Sequence, residues 1–235
     1  MKSGRRVVLA TRNPHKILEL KRILGDAGLD VELVGVDAYP DAPEVPETGD
    51  TFEANALLKA RAVARATGEL AVADDSGICV DALNGMPGVL SARWSGNLRD
   101  GDDRDGDDRD GDDRDRDDRD RDDRDAVNLR LVLAQVADVP DERRGASFEC
   151  AAVAVFPDGE ELVAHGRIKG TLTRAPRGTG GFGYDPIFLP TGSDRTTAEM
   201  APAEKDAISH RGRAFRALAR LLVSAEAVNE GSRHE

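Results

Sequence analysis

The run Leu70-Ala71-Val72-Ala73 ends abruptly in Asp74-Asp75-Ser76-Gly77, and this stretch constrains the possible folds more than any other. A short apolar run bounded by Thr67-Gly68-Glu69 on one side and Gly77 on the other reads as an interior strand of an α/β sheet. Open α/β sheets bind ligands outside the carboxyl ends of their strands. The two carboxylates are therefore expected at a site where this strand stops. Side by side they repel each other and are costly to desolvate, and a divalent metal would offset both effects. A turn opened by solvated aspartates explains the same residues without any ligand.

The net charge of −12 and the 33% of charged residues come largely from one place. Residues 99–125 contain 16 Asp, 8 Arg and 3 Gly and carry −8, leaving −4 for the rest of the 235-residue chain. The acidity is thus no argument about partners. The tract repeats every five residues, as Arg-Asp-Gly-Asp-Asp and then Arg-Asp-Arg-Asp-Asp. With no apolar residue it cannot bury area to offset ordering entropy, so a disordered, low-complexity insertion at 99–125 is expected within a single domain spanning 1–235. Its period does not match nonapeptide calcium repeats, which argues against a calcium site. Cys79 and Cys150 lie in apolar surroundings and read as buried free thiols. The apolar run Val7 to Ala10 stops at Thr11, too short for a signal peptide or a membrane span, and a soluble cytoplasmic protein is expected.

Val7 to Ala10 reads as a first strand, and Pro14 opens a helix through about Gly25. Thr11, Arg12, Asn13, Pro14, His15 and Lys16 form the turn between them. A hydroxyl, an amide and a lysine at a helix N-terminus suit a phosphate, and a plain capped turn explains them equally. Val31 to Val34 predicts a strand, and Asp50-Thr51-Phe52-Glu53 predicts the start of a helix ending near Gly68, with Asn55 and Lys59 on one face. Ala126 to Ala137 predicts a helix. Strands are expected at 146–156 and 161–168, joined by Pro157-Asp158-Gly159. The glycine-rich stretch Arg177 to Pro186 holds Phe182 and Tyr184, which could stack on a flat ligand or pack into the core. Ser209 is a natural N-cap for a C-terminal helix packed through Phe215, Leu218 and Leu222.

Several of these segments, taken in order, resemble the inosine triphosphate pyrophosphatase family, the non-canonical purine nucleoside triphosphate pyrophosphatases. The match is carried by Thr11-x-Asn13-x-x-Lys16, Glu47-Thr48-Gly49, Glu53-x-Asn55-Ala56 with Lys59, Ala73 to Gly77, Pro87-Gly88 with Ser91-Ala92-Arg93, Gly178 to Pro186, and Glu204-Lys205 with Ser209-His210-Arg211. It runs from residue 7 to about 222, and only the 99–125 tract departs from the pattern. The resemblance implies an elongated α/β fold, with a mixed twisted sheet, flanking helices and two lobes around a central nucleotide-binding cleft. It also implies a homodimer that uses Mg²⁺ to cleave ITP, dITP and XTP into the monophosphate and pyrophosphate, with no nucleic-acid polymer or membrane as partner.

Carried over residue by residue, the resemblance implies that Lys16 and the Thr11 turn grip the triphosphate, with Lys59 as a helper. Glu47 and Asp75 would hold the metal. Asp75 would also be the base that activates water, with Asp74 and Ser76 beside it. Phe182 would stack on the purine, while Gly183, Tyr184, Asp185, Lys205, His210 and Arg211 would line it. A cationic donor such as Arg211 favours the 6-oxo group of hypoxanthine and xanthine over the amino group of adenine. How Asp74 and Asp75 divide metal and base stays open at this point. Three other readings are a pyrophosphatase for pyrimidine nucleotides, a nucleotide sensor that does not hydrolyse, and an acidic repeat with a partner of its own.

Overall fold

In the computed structural model, residues 5–26, 31–96 and 113–231 are described. Strand β1 (Arg5–Leu9) leads into helix α1 (Pro14–Asp26) and strand β2 (Val31–Gly35). Helix α2 (Phe52–Thr67), strand β3 (Leu70–Val80) and helix α3 (Asp113–Gln135) follow. Strands β4 (Gly145–Val155), β5 (Glu161–Leu172) and β6 (Phe188–Pro190) precede helices α4 (Pro202–Ile208) and α5 (His210–Gly231). The strands form one six-stranded sheet in the order β2-β1-β3-β4-β5-β6. It is mixed, since β1 runs parallel to β2 and β3 while β5 and β6 are antiparallel. The α/β class expected from the sequence is what the chain adopts.

Two compact units divide the chain, one of Met1–Ser76, Phe148–Ile168 and Ala203–Glu235 and the other of Gly77–Ser147 and Lys169–Pro202. In the first, alternate strand residues serve opposite faces of the sheet, as the two-residue repeat of a strand demands. Val7, Leu9, Leu70, Val72, Cys150 and Ala152 pack with Leu20, Ile23, Phe215 and Leu218 of α1 and α5. Val8, Ala71, Ala73, Val153 and Val155 pack instead with Ala56, Ala60 and Val63 of α2. The α2 boundaries follow their signals. Thr51 accepts from the Ala54 amide at 3.1 Å, and Gly68 ends the helix at φ +66°.

Two expectations change. β3 does not stop at the paired aspartates but runs through them to Val80. Ile78 and Val80 are fully buried and continue the apolar strand, and Gly77 lies so close to Ser91 and Gly88 that no side chain would fit. Residues 113–125 of the acidic tract are helical, forming the first part of α3, where an irregular insertion was expected. The last glycine of the tract is Gly111, so no glycine interrupts the helix where the apolar-patterned segment extends it toward the N-terminus. Residues 99–112 lie outside the described residues.

In the second unit, Arg144 is buried and works as a clamp. Its guanidinium donates to the carbonyl of Val136, just past α3, and to those of Leu172 and Thr173 at 3.1 and 2.9 Å. Trp94 donates to Gln135 at 2.8 Å, and Asn128 accepts from the Ser95 amide at 2.7 Å, so the segment before the tract is tied to the helix after it.

Candidate functional site

The strand alternation that builds the core also separates the two aspartates. Asp74 continues the series Leu70 and Val72, and Asp75 continues Ala71 and Ala73. Each carboxylate therefore meets different helices. Asp74, 3% exposed, accepts from Lys16 Nζ of α1 and from Arg211 Nε of α5, both at 3.1 Å. Asp75, 6% exposed, accepts from Asn55 Nδ2 of α2 at 3.0 Å, and Lys59 Nζ stands 3.8 Å from its other oxygen. Lys59 in turn donates to Glu47 at 2.8 Å.

Their electrostatics differ accordingly. Burial would raise the proton affinity of Asp74, but Lys16, Arg211 and Lys59 outweigh it and hold this carboxyl well below the usual carboxylate range. For Asp75 burial prevails, reinforced by the charge of Glu47 and only partly opposed by Lys59 and Lys16, and its proton affinity is raised. The pair is thus one carboxylate held as an anion and one whose proton affinity is shifted the opposite way. Lys59 stays a cation despite its burial, because Asp75, Asp74 and Glu47 surround it.

The turn from Thr11 to Lys16 is capped. Thr11 Oγ1 accepts from the Asn13 amide at 3.2 Å, and Asn13 Oδ1 accepts from the Lys16 amide at 3.3 Å. Those two side chains therefore shape the turn, and Lys16 Nζ carries its charge to Asp74. Arg12 is exposed and donates to the Ala42 carbonyl at 3.2 Å. Of Pro14 and His15 only the backbone, within α1, is described.

Ser209 accepts from the Gly212 amide at 2.8 Å and caps α5, whose first residues are His210 and Arg211. Arg211, 2% exposed, donates to Glu19 at 2.6 Å and to Ser76 at 2.7 Å besides its bond to Asp74. His210 is stacked on Phe148, ring centroids 4.8 Å apart. Burial, together with Arg211 and Lys205, pushes its proton affinity well down, so it is neutral. Lys205 is buried in the last turn of α4.

Phe182, Gly183, Tyr184 and Asp185 belong to the second unit. Tyr184 is buried and its hydroxyl donates to the Ser91 carbonyl at 2.8 Å. Asp185 is buried as well, accepting from the Phe182 amide at 2.9 Å and from Thr197 Oγ1 at 2.7 Å. Both side chains thus brace the loop. Phe182 is half-buried.

Asn55 and Glu19 are two members of the first-unit cluster not proposed from sequence as site residues. Asn55 is fully buried, holding Asp75 with its amide and accepting from the Gly49 amide at 2.7 Å, which also explains Gly49, where an added Cβ would fall 2.8 Å from Asn55 Oδ1. Its place in the motif was visible, its bond to Asp75 was not. Glu19 lies one helical turn beyond Lys16, and nothing in its spacing marks it as buried.

Glu47 and Asp75 offer hard oxygen donors joined by a single ammonium, and Asp74 Oδ1 is buried with no hydrogen-bond partner. Among the described residues no three of His, Cys, Asp or Glu form a closed metal cage. An open, two-carboxylate set is what magnesium takes when a nucleotide's phosphates complete its shell.

A model described as the Ham1 family matches residues 7–221. The chain belongs to the Ham1 family. Ham1 relatives include the dITP/XTP pyrophosphatase of Streptomyces coelicolor, 58% identical over 213 residues, 91% of this chain and 94% of the relative. The dITP/XTP pyrophosphatase of Mycobacterium tuberculosis H37Rv is 51% identical over 220 residues, 93% of this chain and 96% of the relative. Among solved structures, a HAM1 protein from Coxiella burnetii superposes with a TM-score of 0.75 at 36% identity, covering 94% of this chain and 99% of that one. No helix among the described residues is long and apolar enough to cross a membrane.

Proposed function

We propose that this Ham1 chain hydrolyses dITP and XTP, and ITP with them, to the nucleoside monophosphate and pyrophosphate, clearing deaminated purines from the cytoplasmic nucleotide pool. The observation that carries the reading is the divided aspartate pair, with Asp74 bonded to Lys16 and Arg211 and Asp75 held by Asn55 beside Lys59 and Glu47. A sensor that only binds has no use for a carboxylate of raised proton affinity beside Lys59 and Glu47.

In this reading Lys16 and Lys59 hold the triphosphate by charge, and Asp75 accepts a proton from the water that attacks the α phosphorus. The new bond joins water oxygen to phosphorus, and the bond to the α–β bridging oxygen breaks as pyrophosphate leaves. Asn55 orients Asp75 through one carboxylate oxygen. Glu47 and Asp75 would hold Mg²⁺, which supplies positive charge against the phosphate oxygens. Phe182 stacks on the purine, while Lys205, His210 and Arg211 are its edge-reading candidates. A neutral His210 offers both a donor and an acceptor for that task. The working form is a homodimer, checked by light scattering.

The test is pyrophosphate release from ITP, dITP, XTP, GTP, ATP and dTTP, with Mg²⁺ and with chelator. Fast release from the first three, abolished by chelator, is expected. Equal rates on all six, or binding without release, would overturn the proposal.

A further inference from the structure

The backbone on either side of Phe182 is held by two carboxylates from different parts of the second unit. The Phe182 amide donates to Asp185 Oδ2, and the Gly183 amide donates to Asp125 Oδ2, each at 2.9 Å. A peptide group is planar, so holding an amide N–H restricts the orientations open to the plane to which it belongs. The first bond sets the plane preceding the Phe182 Cα, and the second sets the plane following it. Together they restrain both backbone torsions of Phe182 and hence the direction of its Cα–Cβ bond, from which the ring extends.

This stretch needs such anchors. Gly181 and Gly183 sit at φ +73° and +61°, and a glycine-flanked residue has many competing conformations. Asp185 is three residues from Phe182 and ties the loop to itself. Asp125 comes from α3 and ties the loop to the body of the unit. An ionised acceptor makes this a stronger bond than one to a neutral group.

We propose that Asp125 is a positioning residue for nucleotide recognition, holding the Gly183 amide so that Phe182 presents its ring to the purine. The inference rests on the reading of Phe182 as the stacking residue. Asp125 is also the last residue of the Asp/Arg/Gly tract, so the helix that closes the repeat ends its charged run on the loop's anchor.

The experiment is a double-mutant cycle read as KM and kcat for ITP, with amide hydrogen exchange of residues 181–185 in the free protein. Asp125→Ala should raise KM roughly tenfold, as expected for loss of a charge-assisted hydrogen bond, with kcat changed far less. Asp125→Asn keeps an acceptor oxygen and should recover most of that loss. In a Phe182→Ala background Asp125→Ala should add nothing to KM, and in the free protein it should speed exchange at Gly183. Equal KM increases in both backgrounds, a loss confined to kcat, or unchanged exchange would each overturn the proposal. A wild-type protein that releases no pyrophosphate would defeat the proposed function instead, and the exchange arm would still report on the anchor.

Discussion

Adjacent aspartates with identical side chains acquire opposite proton affinities because a strand sends neighbours to opposite faces. Asp75→Asn should keep the circular dichroism of the wild type and lower kcat by roughly 10² to 10⁴, the usual contribution of a general base; a rate within a few-fold of wild type would remove Asp75 from that role. Asp74 serves stability. Its proton affinity is lower in the folded chain than in the unfolded one, so its pairing stabilises the fold above the usual carboxylate range, and that contribution is lost progressively as pH falls from that range through the lower folded-state value. In chelator, Asp74→Asn should therefore cost about 3 kcal/mol at neutral pH and flatten the decline in melting temperature toward acid. The Ala73-to-Gly77 motif was legible at this scale, whereas the partners of its carboxylates were not. Lys16 and Arg211 lie 58 and 137 residues from Asp74, and no local pattern encodes such a pairing.

Single caps and clamps decide whether the elements deliver those side chains. Ser209 starts α5 one residue before His210 and two before Arg211. Ser209→Ala should cost about 1 kcal/mol in denaturant unfolding, and a neutral result would show that the α4–α5 junction is held by other contacts. Arg144 donates to three carbonyls in the second unit. Arg144→Leu should remove this donor from the Leu172 and Thr173 carbonyls and cost about 2 kcal/mol, visible as a lower melting temperature. Element positions followed well from apolar spacing and caps, as α2 between Thr51 and Gly68 illustrates. The end of β3 did not, because paired aspartates resemble a terminus when their counter-charges are out of sight. The start of α3 was hidden likewise, since hydrophobic patterning is silent where no apolar residue occurs.

For the whole molecule the open question is the acidic tract. Deleting residues 99–112 should leave kcat, KM and oligomeric state unchanged, because the part of α3 that bears Asp125 is spared. Deleting 99–125 should raise KM, since the Gly183 anchor goes with it. Equal behaviour of the two deletions would separate the loop from the helix. The sequence by itself determined the α/β class, the order of most elements, the Ham1 resemblance and nearly all the candidate residues, because periodicity, caps and spaced motifs are local and survive in one dimension. Only the tertiary structure decided which carboxylate pairs with Lys16 and Arg211 and which with Asn55 and Lys59, that Glu19 and Asn55 belong to the cluster, and that one aspartate of a monotonous repeat holds a distant glycine. Charge pairing and burial depend on proximity in space, and chain order does not carry that distance.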